Sequence, residues 1–314
     1  MNTPETFAPT VEAYLNYRRQ AGFLLKIEGE QLERFARFSE RIGHQGPLTI
    51  KLSEQWACAS RQHKRITAAR RIEVLRPFAR YCLQFNPATE IPPRGLFGRA
   101  HRRLTPHIYT DAEICALLEA CASLPPSGGL RGASCATIFG LIASTGLRIS
   151  EATGLQRPDV DLEHGLLHIR NAKFGKSRWV PLHSTTTNAL QDYERLRDNH
   201  PLAANTKAFF VFDYGRSASI SSVEYAFKLL RQQLKWRSRG DHPAPRIHDL
   251  RHSFVCHNLE RWYAQNIDIE HHILALSTYL GHAKITDTYW YLTATPELLA
   301  KAALRPELYQ GELL

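Results

Sequence analysis

One interruption in the helical pattern divides this chain of 314 residues in two. N-terminal to it, apolar residues recur at three- and four-residue steps, as on the buried face of a helix. Asn86-Pro87 and Pro92-Pro93, followed by two glycines, then break all periodicity over residues 88–107. Since each side is long enough for a domain of ordinary size, we predict two domains joined by a linker.

The N-terminal part, residues 1–87, predicts a small bundle of four helices. Leu32, Phe35 and Phe38 follow helical spacing. Another helix is predicted over residues 67–84, where the apolar positions again lie on one face. No strand pattern interrupts this part of the sequence.

The second part, residues 108–295, predicts a mixed domain that is mainly helical. Residues 166–170 and 178–182 alternate between apolar and polar side chains, which favours a β-hairpin. A short apolar strand is expected at residues 209–212. We therefore expect an α+β domain with a small sheet.

Basic residues outnumber acidic ones, 40 to 30, which gives a net charge of +10 and favours a polyanionic partner. The excess is concentrated in residues 61–103, where eleven Lys or Arg accompany two Glu. A solvated helix face is the alternative, but such faces usually carry balancing acids. We expect phosphate contacts from Arg61, Lys64, Arg65, Arg70, Arg71, Arg102 and Arg103.

The cysteines and the N-terminus favour a cytoplasmic protein. None of the six cysteines forms a C-x-x-C pair, and several, such as Cys115 and Cys121, lie in apolar helical patterns. Buried, reduced thiols are expected. The first ten residues lack a signal-peptide pattern, and no apolar run approaches the ~20 residues that span a membrane.

The last fifth of the chain concentrates residue types that suit phosphodiester chemistry. His248 and Arg251 are three apart in HDLRHSF, which places them on one face of a helix. Gly281-His282 predicts a glycine-capped helix with a histidine just beyond it. Tyr291 follows nine residues later. These side chains can form a cleavage site with a tyrosine nucleophile.

Further candidates lie upstream. The sequence TGLRISEATGL places Arg148 one helical turn before Glu151. Alone, this pair is most often a surface ion pair. The predicted hairpin, NAKFGKSRWVPL, then supplies Lys173 or Lys176. The order of these motifs, from the arginine through the hairpin lysine, HxxR and Gly-His to the tyrosine, is the specific signal.

In this order and spacing the sequence resembles the tyrosine recombinase (phage integrase) family over about residues 8–295, most strongly over 145–292. The resemblance implies a DNA breaking-rejoining fold. It has an N-terminal helical, SAM-like core-binding domain and a catalytic domain. The ending YWYLTATPELL is similar to recombinases encoded by transposons and other mobile elements. The implied catalytic residues are Arg148, Lys173, His248, Arg251, His282 and Tyr291, with Glu151 in support.

The implied chemistry needs no metal or other cofactor. Arg148 and Arg251 would hold the non-bridging phosphate oxygens, because guanidinium forks match phosphate geometry. Tyr291 would attack to form a 3′-phosphotyrosine, with His248 as the expected proton acceptor. Lys173 would protonate the leaving 5′-oxygen. The remaining histidine of the set, in the Gly-His motif, would donate a hydrogen bond to the phosphate.

Some assignments compete. Tyr289 is a rival nucleophile, but only Tyr291 has the nine-residue step from His282. Lys173 is preferred to Lys176 by its distance from the Val-Pro-Leu ending. A metal phosphoesterase is disfavoured, since no carboxylate set has metal-ligand spacing. The histidines that match no family role, and that we expect at the surface or in packing, are His252, His257, His271 and His272.

We therefore predict a site-specific recombinase or integrase that acts on double-stranded DNA in integration, excision or transposition. The alternatives are a type IB topoisomerase-like enzyme and a non-cleaving DNA-binding protein of the same fold. The apolar tail, residues 296–314, is expected to dock on a neighbouring protomer, with packing on its own domain as the alternative. Docking favours a homo-oligomer, such as a tetramer on paired sites, or partner recombinases.

Overall fold

The computed structural model describes residues 6–59, 64–100, 103–170, 177–201, 203 and 206–293. Contacts divide the chain into two compact units, Met1–Arg103 and Leu104–Leu314. This division falls inside the stretch predicted as a linker. The domain limits 1–87, 88–107, 108–295 and 296–314 remain predictions.

The first unit is a helical bundle, in agreement with its sequence pattern. The rings of Phe35, Trp56 and Phe78 meet in its core, with Phe35 edge-on to both of the others. Thr49 caps the third helix by accepting a hydrogen bond from the backbone N–H of Leu52. The helices are α1 (Phe7–Gln20), α2 (Lys26–Arg41), α3 (Ile50–Cys58) and α4 (Arg65–Leu83).

The second unit is mainly helical with one small antiparallel sheet, so the predicted fold class is confirmed. The predicted hairpin is confirmed where it is described, with Leu167 opposite Val180; its residues 171–176 lie outside the described part. The strands are β1 (Val160–Asp161), β2 (Leu166–Ile169) and β3 (Arg178–Pro181). The helices are α5 (Asp111–Ala120), α6 (Leu130–Thr145), α7 (Ile149–Thr153), α8 (Ser184–Asp198), α9 (Ile220–Gln233), α10 (Ile247–Ala264), α11 (Ile269–Leu280) and α12 (Thr286–Tyr289).

Two sequence expectations were wrong. Residues 209–212 form a bend and an isolated bridge, through Val211, instead of a strand. Their apolar character serves packing, since the buried rings of Phe209 and Phe210 both contact Tyr193. Among the cysteines, Cys58 and Cys115 are exposed instead of buried, whereas Cys82, Cys121, Cys135 and Cys256 are buried as expected.

The core of the second unit fixes α6 against α10. Phe139 and Ile142 on α6 and Leu250 on α10 are all at most 1% exposed and belong to one apolar cluster. A second cluster joins α10 to α11 through Leu259 and Ile273. The helix that carries His248 and Arg251, α10, is thereby held by well-packed apolar contacts against α6 and α11. Arg148 and His282 follow shortly after the ends of those two helices, and such packing favours a rigid site.

Candidate active site

The first candidate residue is placed by the end of α6. That helix stops at Thr145 because Gly146 adopts a left-handed conformation, with φ +65°. A Cβ at this position would lie 2.6 Å from the ring of Phe254 and 2.9 Å from Leu280. Glycine therefore permits both the turn and the close approach of α10 and α11. Arg148 follows two residues later, as the N-cap of α7.

Glu151 binds two arginines from different parts of the chain. Its carboxylate accepts a hydrogen bond from Arg148 Nη1 at 2.8 Å and another from the Arg148 backbone at 3.0 Å. Arg178, on β3, adds a two-pronged contact, with Nη1 and Nη2 at 3.0 and 2.9 Å. Such paired contacts fix the plane of a guanidinium as well as its position. Glu151 therefore supports Arg148, and Arg178 supports Glu151.

Electrostatics keeps this carboxylate ionised. Burial alone would raise the pKa of Glu151, but hydrogen bonds from Arg178 and the Arg148 backbone, with the charges of both arginines, lower it to about 2. Sequence reasoning missed Arg178, which lies 27 residues from Glu151. Its position within the RWVPL strand of the predicted hairpin was the available signal, since that strand leads out of the lysine-bearing turn.

The two candidate phosphate-binding arginines converge at the end of α11. Arg251 is 1% exposed and donates from Nη2 to the Leu280 carbonyl at 2.9 Å and from Nη1 to the Gly146 carbonyl. Arg148 donates to the same Leu280 carbonyl at 3.5 Å and to that of Gly281 at 3.2 Å. Burial and the nearby Arg148 lower the pKa of Arg251 to about 10, so it stays charged at neutral pH.

The predicted glycine cap of α11 is confirmed, and it brings His282 towards Tyr291. Gly281 has φ +65°, and a Cβ there would meet Arg178 at 2.8 Å. The His282 ring is nearly parallel to that of Tyr291, with 6.4 Å between centroids, and its Nδ1 lies 2.7 Å from Thr288 Oγ1. Burial, then the charges of Arg251 and Arg148, lower the pKa of His282 to about 4.

The Tyr291 hydroxyl meets a histidine that the sequence did not single out. Nδ1 of His252 lies 2.8 Å from it. Burial, then His248, Arg246 and Arg251, lower the pKa of His252 to about 2. The prediction of a surface or packing role for His252 therefore misses this contact. Its signal was the adjacency to Arg251 in HDLRHSF, one turn after His248.

His248 lies next to His252 at the start of α10. The two rings are edge to face, with 4.7 Å between centroids. Partial burial and the charges of Arg251 and Arg246 lower the pKa of His248 below its ordinary value. The residue as a whole is exposed to solvent. A neutral His248 at the surface results.

Five of the six proposed catalytic residues are described. Ring contacts connect His248, through His252, to Tyr291 and His282, and the charges of the two arginines that share the Leu280 carbonyl act on His282. The sixth, Lys173, and its rival Lys176 lie outside the described residues. The rival nucleophile Tyr289 is 43% exposed, whereas Tyr291 is 3% exposed and packs in the α10–α11 cluster. The linked residues are Arg148, His248, Arg251, His282 and Tyr291, with Glu151 beside Arg148.

The predicted DNA-binding residues belong to the first unit and divide into two groups. Arg71 is half-buried, since it donates to the Trp56 carbonyl at 2.9 Å and lies over the indole ring. The other described residues of this set, namely Lys64, Arg65, Arg70 and Arg103, are exposed. Two more, Arg61 and Arg102, lie outside the described residues.

In the described part of the chain, no group of three His, Cys, Asp or Glu side chains could hold a metal ion. Nor does any helix there combine the length and apolarity needed to cross a membrane. The site thus offers positive charge from arginines, neutral imidazoles and a phenol. This set can bind a phosphate diester and attack it with the phenol oxygen.

The second unit combines a mainly helical fold and a small sheet with arginines and histidines beside a buried tyrosine. Together these features define a class of DNA strand-exchange proteins. The phage integrase family model matches residues 108–297. This chain belongs to the phage integrase family, and so to the tyrosine-type site-specific recombinases.

The similar proteins span nearly the whole chain. The protein y4rB of Sinorhizobium fredii (strain NGR234), itself an inferred integrase/recombinase, is 37% identical over 96% of this chain and 97% of its own length. The tyrosine recombinase XerC of Pseudomonas entomophila is 29% identical over 90% of each chain. The Tn1549 transposon integrase, solved in complex with transposon right end DNA, is 17% identical, with a TM-score of 0.66 over 95% of this chain and 99% of its own. That structural similarity concerns the fold.

Proposed function

We propose that this chain cleaves and rejoins double-stranded DNA at specific sites through a covalent 3′-phosphotyrosine on Tyr291. The observation that carries the proposal is the convergence of Arg148 and Arg251 on the end of α11, beside the parallel rings of His282 and Tyr291. Mobile-element DNA is the proposed substrate class, in line with the transposon integrase of similar fold.

The arginines supply the electrostatic part of the mechanism. Attack on a phosphodiester adds negative charge to the non-bridging oxygens, and preorganised donors stabilise that charge most in a site without bulk water. Arg251 is fixed by carbonyls on two helices' ends, and Arg148 is fixed by Glu151. Their remaining N–H groups would hold the phosphate. His282, whose Nδ1 contacts Thr288, would donate from its other nitrogen.

The covalent step conserves the energy of the broken bond. Tyr291 would attack phosphorus, and the 5′-oxygen would leave with a proton from Lys173, a residue outside the described part. Because the new phosphotyrosine is itself a phosphodiester, a 5′-hydroxyl can reverse the reaction without ATP. His248, at the solvent-facing edge of the site, is proposed to contact the phosphate oxygens or take part in proton transfer.

DNA binding and assembly complete the proposal. The exposed cations Lys64, Arg65, Arg70 and Arg103 would contact phosphates, and cytoplasmic DNA is the expected target. Assembly as a tetramer on paired sites, or with partner recombinases, is proposed through the tail of residues 296–314, which lies outside the described residues. Cutting would then depend on a neighbouring protomer.

The test compares two tyrosines on one substrate. Tyr291→Phe removes the hydroxyl, so it should bind DNA normally and form no covalent adduct on a nicked suicide duplex carrying the bound site. Tyr289→Phe should form the adduct at the normal rate. The measurement is a denaturing gel that separates DNA-linked protein from free protein. An adduct formed by Tyr291→Phe would overturn the proposal.

A further inference from the structure

His252 lies where the proposed reaction needs a proton acceptor. Its Nδ1 is 2.8 Å from the Tyr291 hydroxyl, an ordinary length for a hydrogen bond between oxygen and nitrogen. Tyr291 must lose the proton on that oxygen when it attacks phosphorus. Any group bonded to the hydroxyl before attack is therefore the first available to receive the proton.

The free protein keeps His252 ready to accept. With its pKa lowered chiefly by burial, His252 is neutral at physiological pH. A neutral imidazole with its proton on Nε2 presents a lone pair at Nδ1, to which the tyrosine hydroxyl donates. The half-buried ring also contacts the rings of His248 and Trp290. This packing leaves Nδ1 aimed at the nucleophile.

We propose that His252 accepts the proton of Tyr291 during strand cleavage and returns it during rejoining. The Oη–H bond of Tyr291 breaks as the bond from Oη to phosphorus forms, and the proton moves to Nδ1. The bond from phosphorus to the 5′-oxygen breaks, and that oxygen takes a proton from Lys173 or from water. Rejoining reverses each step. The inference rests on the proposed function, because it requires Tyr291 as the nucleophile.

Bound DNA would strengthen this base. In the free protein, the charges of Arg246 and Arg251 disfavour a protonated His252. A phosphate diester held by Arg251 cancels part of that positive charge, and the transition state adds further negative charge beside the ring. His252 therefore becomes a better proton acceptor only when a phosphate occupies the site, so Tyr291 is activated by its substrate.

His248 is a less direct acceptor. Its ring lies edge to face with that of His252, with 4.7 Å between the ring centroids, and it is exposed to solvent, whereas His252 itself lies within hydrogen-bond distance of the Tyr291 hydroxyl. We assign the first proton transfer to His252. His248 retains the phosphate or solvent side of the site.

The experiment separates proton transfer from positioning. His252→Leu removes the acceptor, and His252→Gln keeps an oxygen acceptor that cannot take the proton. Each is made with tyrosine at position 291 and again with a trifluorotyrosine there, whose more acidic phenol ionises without a base. Single-turnover adduct formation is measured at saturating DNA on the nicked suicide duplex. His257→Leu, a half-buried histidine on the same helix, is the matched control.

Loss of a general base should slow adduct formation by ~10²-fold or more in both variants. Trifluorotyrosine at position 291 should restore most of the rate of adduct formation to His252→Leu. The same replacement in the protein that keeps His252 should not raise its rate. Melting temperature and DNA affinity should match those of the control. These outcomes together support proton transfer.

Four results would overturn the inference. An unchanged rate of adduct formation in His252→Leu would show that His252 has no role in cleavage. A faster rate would show that His252 restrains the tyrosine, and a slower rate that trifluorotyrosine does not restore would show that His252 only positions it. Full activity of His252→Gln would count in the same way, because the amide cannot accept the proton. An adduct in Tyr291→Phe would instead defeat the proposed function, so the two failures are distinguishable.

Discussion

The arginines of the two units make similar bonds in different surroundings. In the first unit, Arg65 and Arg70 on α4 donate to the carbonyls of Phe97 and Ala100, at 3.0 and 3.3 Å, and remain exposed. In the second unit, Arg251 also donates to backbone carbonyls but is 1% exposed. The first group ties a connecting segment to a helix at the surface. The second is fixed where water is excluded, and there a charge acts most strongly on a bound phosphate.

Arg251→Lys should have the largest effect, because lysine cannot reproduce the fork of donors that holds both carbonyls and a phosphate. We expect adduct formation at saturating DNA to fall by ~10²–10³-fold, the usual cost of removing one preorganised donor. Arg76→Lys is the matched control, since Arg76 donates to the Pro92 carbonyl in the first unit. A comparable loss in that control would erase the distinction between the units.

Glu151→Gln should have the next largest effect, a loss of unfolding free energy at neutral pH. The substitution leaves Arg178 and Arg148 without their buried counter-charge. The folded pKa, about 2 against an ordinary 4.5, means that ionised Glu151 stabilises the fold above pH 4.5. That stabilisation, about 3 kcal/mol, is lost as pH falls from 4.5 towards 2. Unfolding free energies of both proteins across this range check it. If the unfolding free energies of the two proteins changed in parallel over this pH range, ionised Glu151 would not be the source of the stabilisation.

Sequence spacing predicted those features of the site that depend on residues a few positions apart. The glycine cap before His282 and the face shared by His248 and Arg251 follow from helix geometry, so short-range patterns were enough. The partnership of Arg178 with Glu151 and that of His252 with Tyr291 span 27 and 39 residues. Such contacts depend on how strands and helices pack, which periodicity does not specify.

The same limit explains the basic stretch of the first unit. The sequence predicted phosphate contacts for Arg70 and Arg71 alike, because both belong to one charge run. The structure separates them: Arg70 is exposed, whereas Arg71 lies over Trp56 and bonds to its carbonyl. Neighbours in sequence point to different sides of a helix, and only packing shows which side is covered.

Arg71→Ala should therefore lower stability more than DNA affinity. It removes a hydrogen bond and a cation–π contact, which together contribute about 1–2 kcal/mol. Thermal unfolding of the full chain should show a lower midpoint for Arg71→Ala and an unchanged midpoint for Lys64→Ala, whose side chain is exposed. Equal unfolding midpoints for the two variants would show that the contacts of Arg71 with Trp56 do not stabilise the fold.

The smallest effect is expected from the exposed cations. Lys64→Ala with Arg70→Ala should reduce the dependence of log K on log salt by up to about two contacts, at ~0.9 per phosphate. Unrelated DNA sequences should be affected alike, because phosphate contacts carry no sequence information. Filter-binding or fluorescence titrations over a salt series measure the slope. An unchanged slope would mean that these side chains do not reach DNA.

The two arginines bound to Glu151 also contribute to the net charge of the site. Among the described residues at the centre of the site, Arg148 and Arg178 bind the Glu151 carboxylate and Arg251 lies within its electrostatic influence, while His252 and His282 are held neutral. Three positive charges and one negative charge leave an excess of two. A DNA phosphodiester carries one negative charge, but the pentavalent species formed on attack carries two. This excess is larger than one phosphodiester neutralises, so we expect the described site to favour the more highly charged species formed on attack over intact DNA.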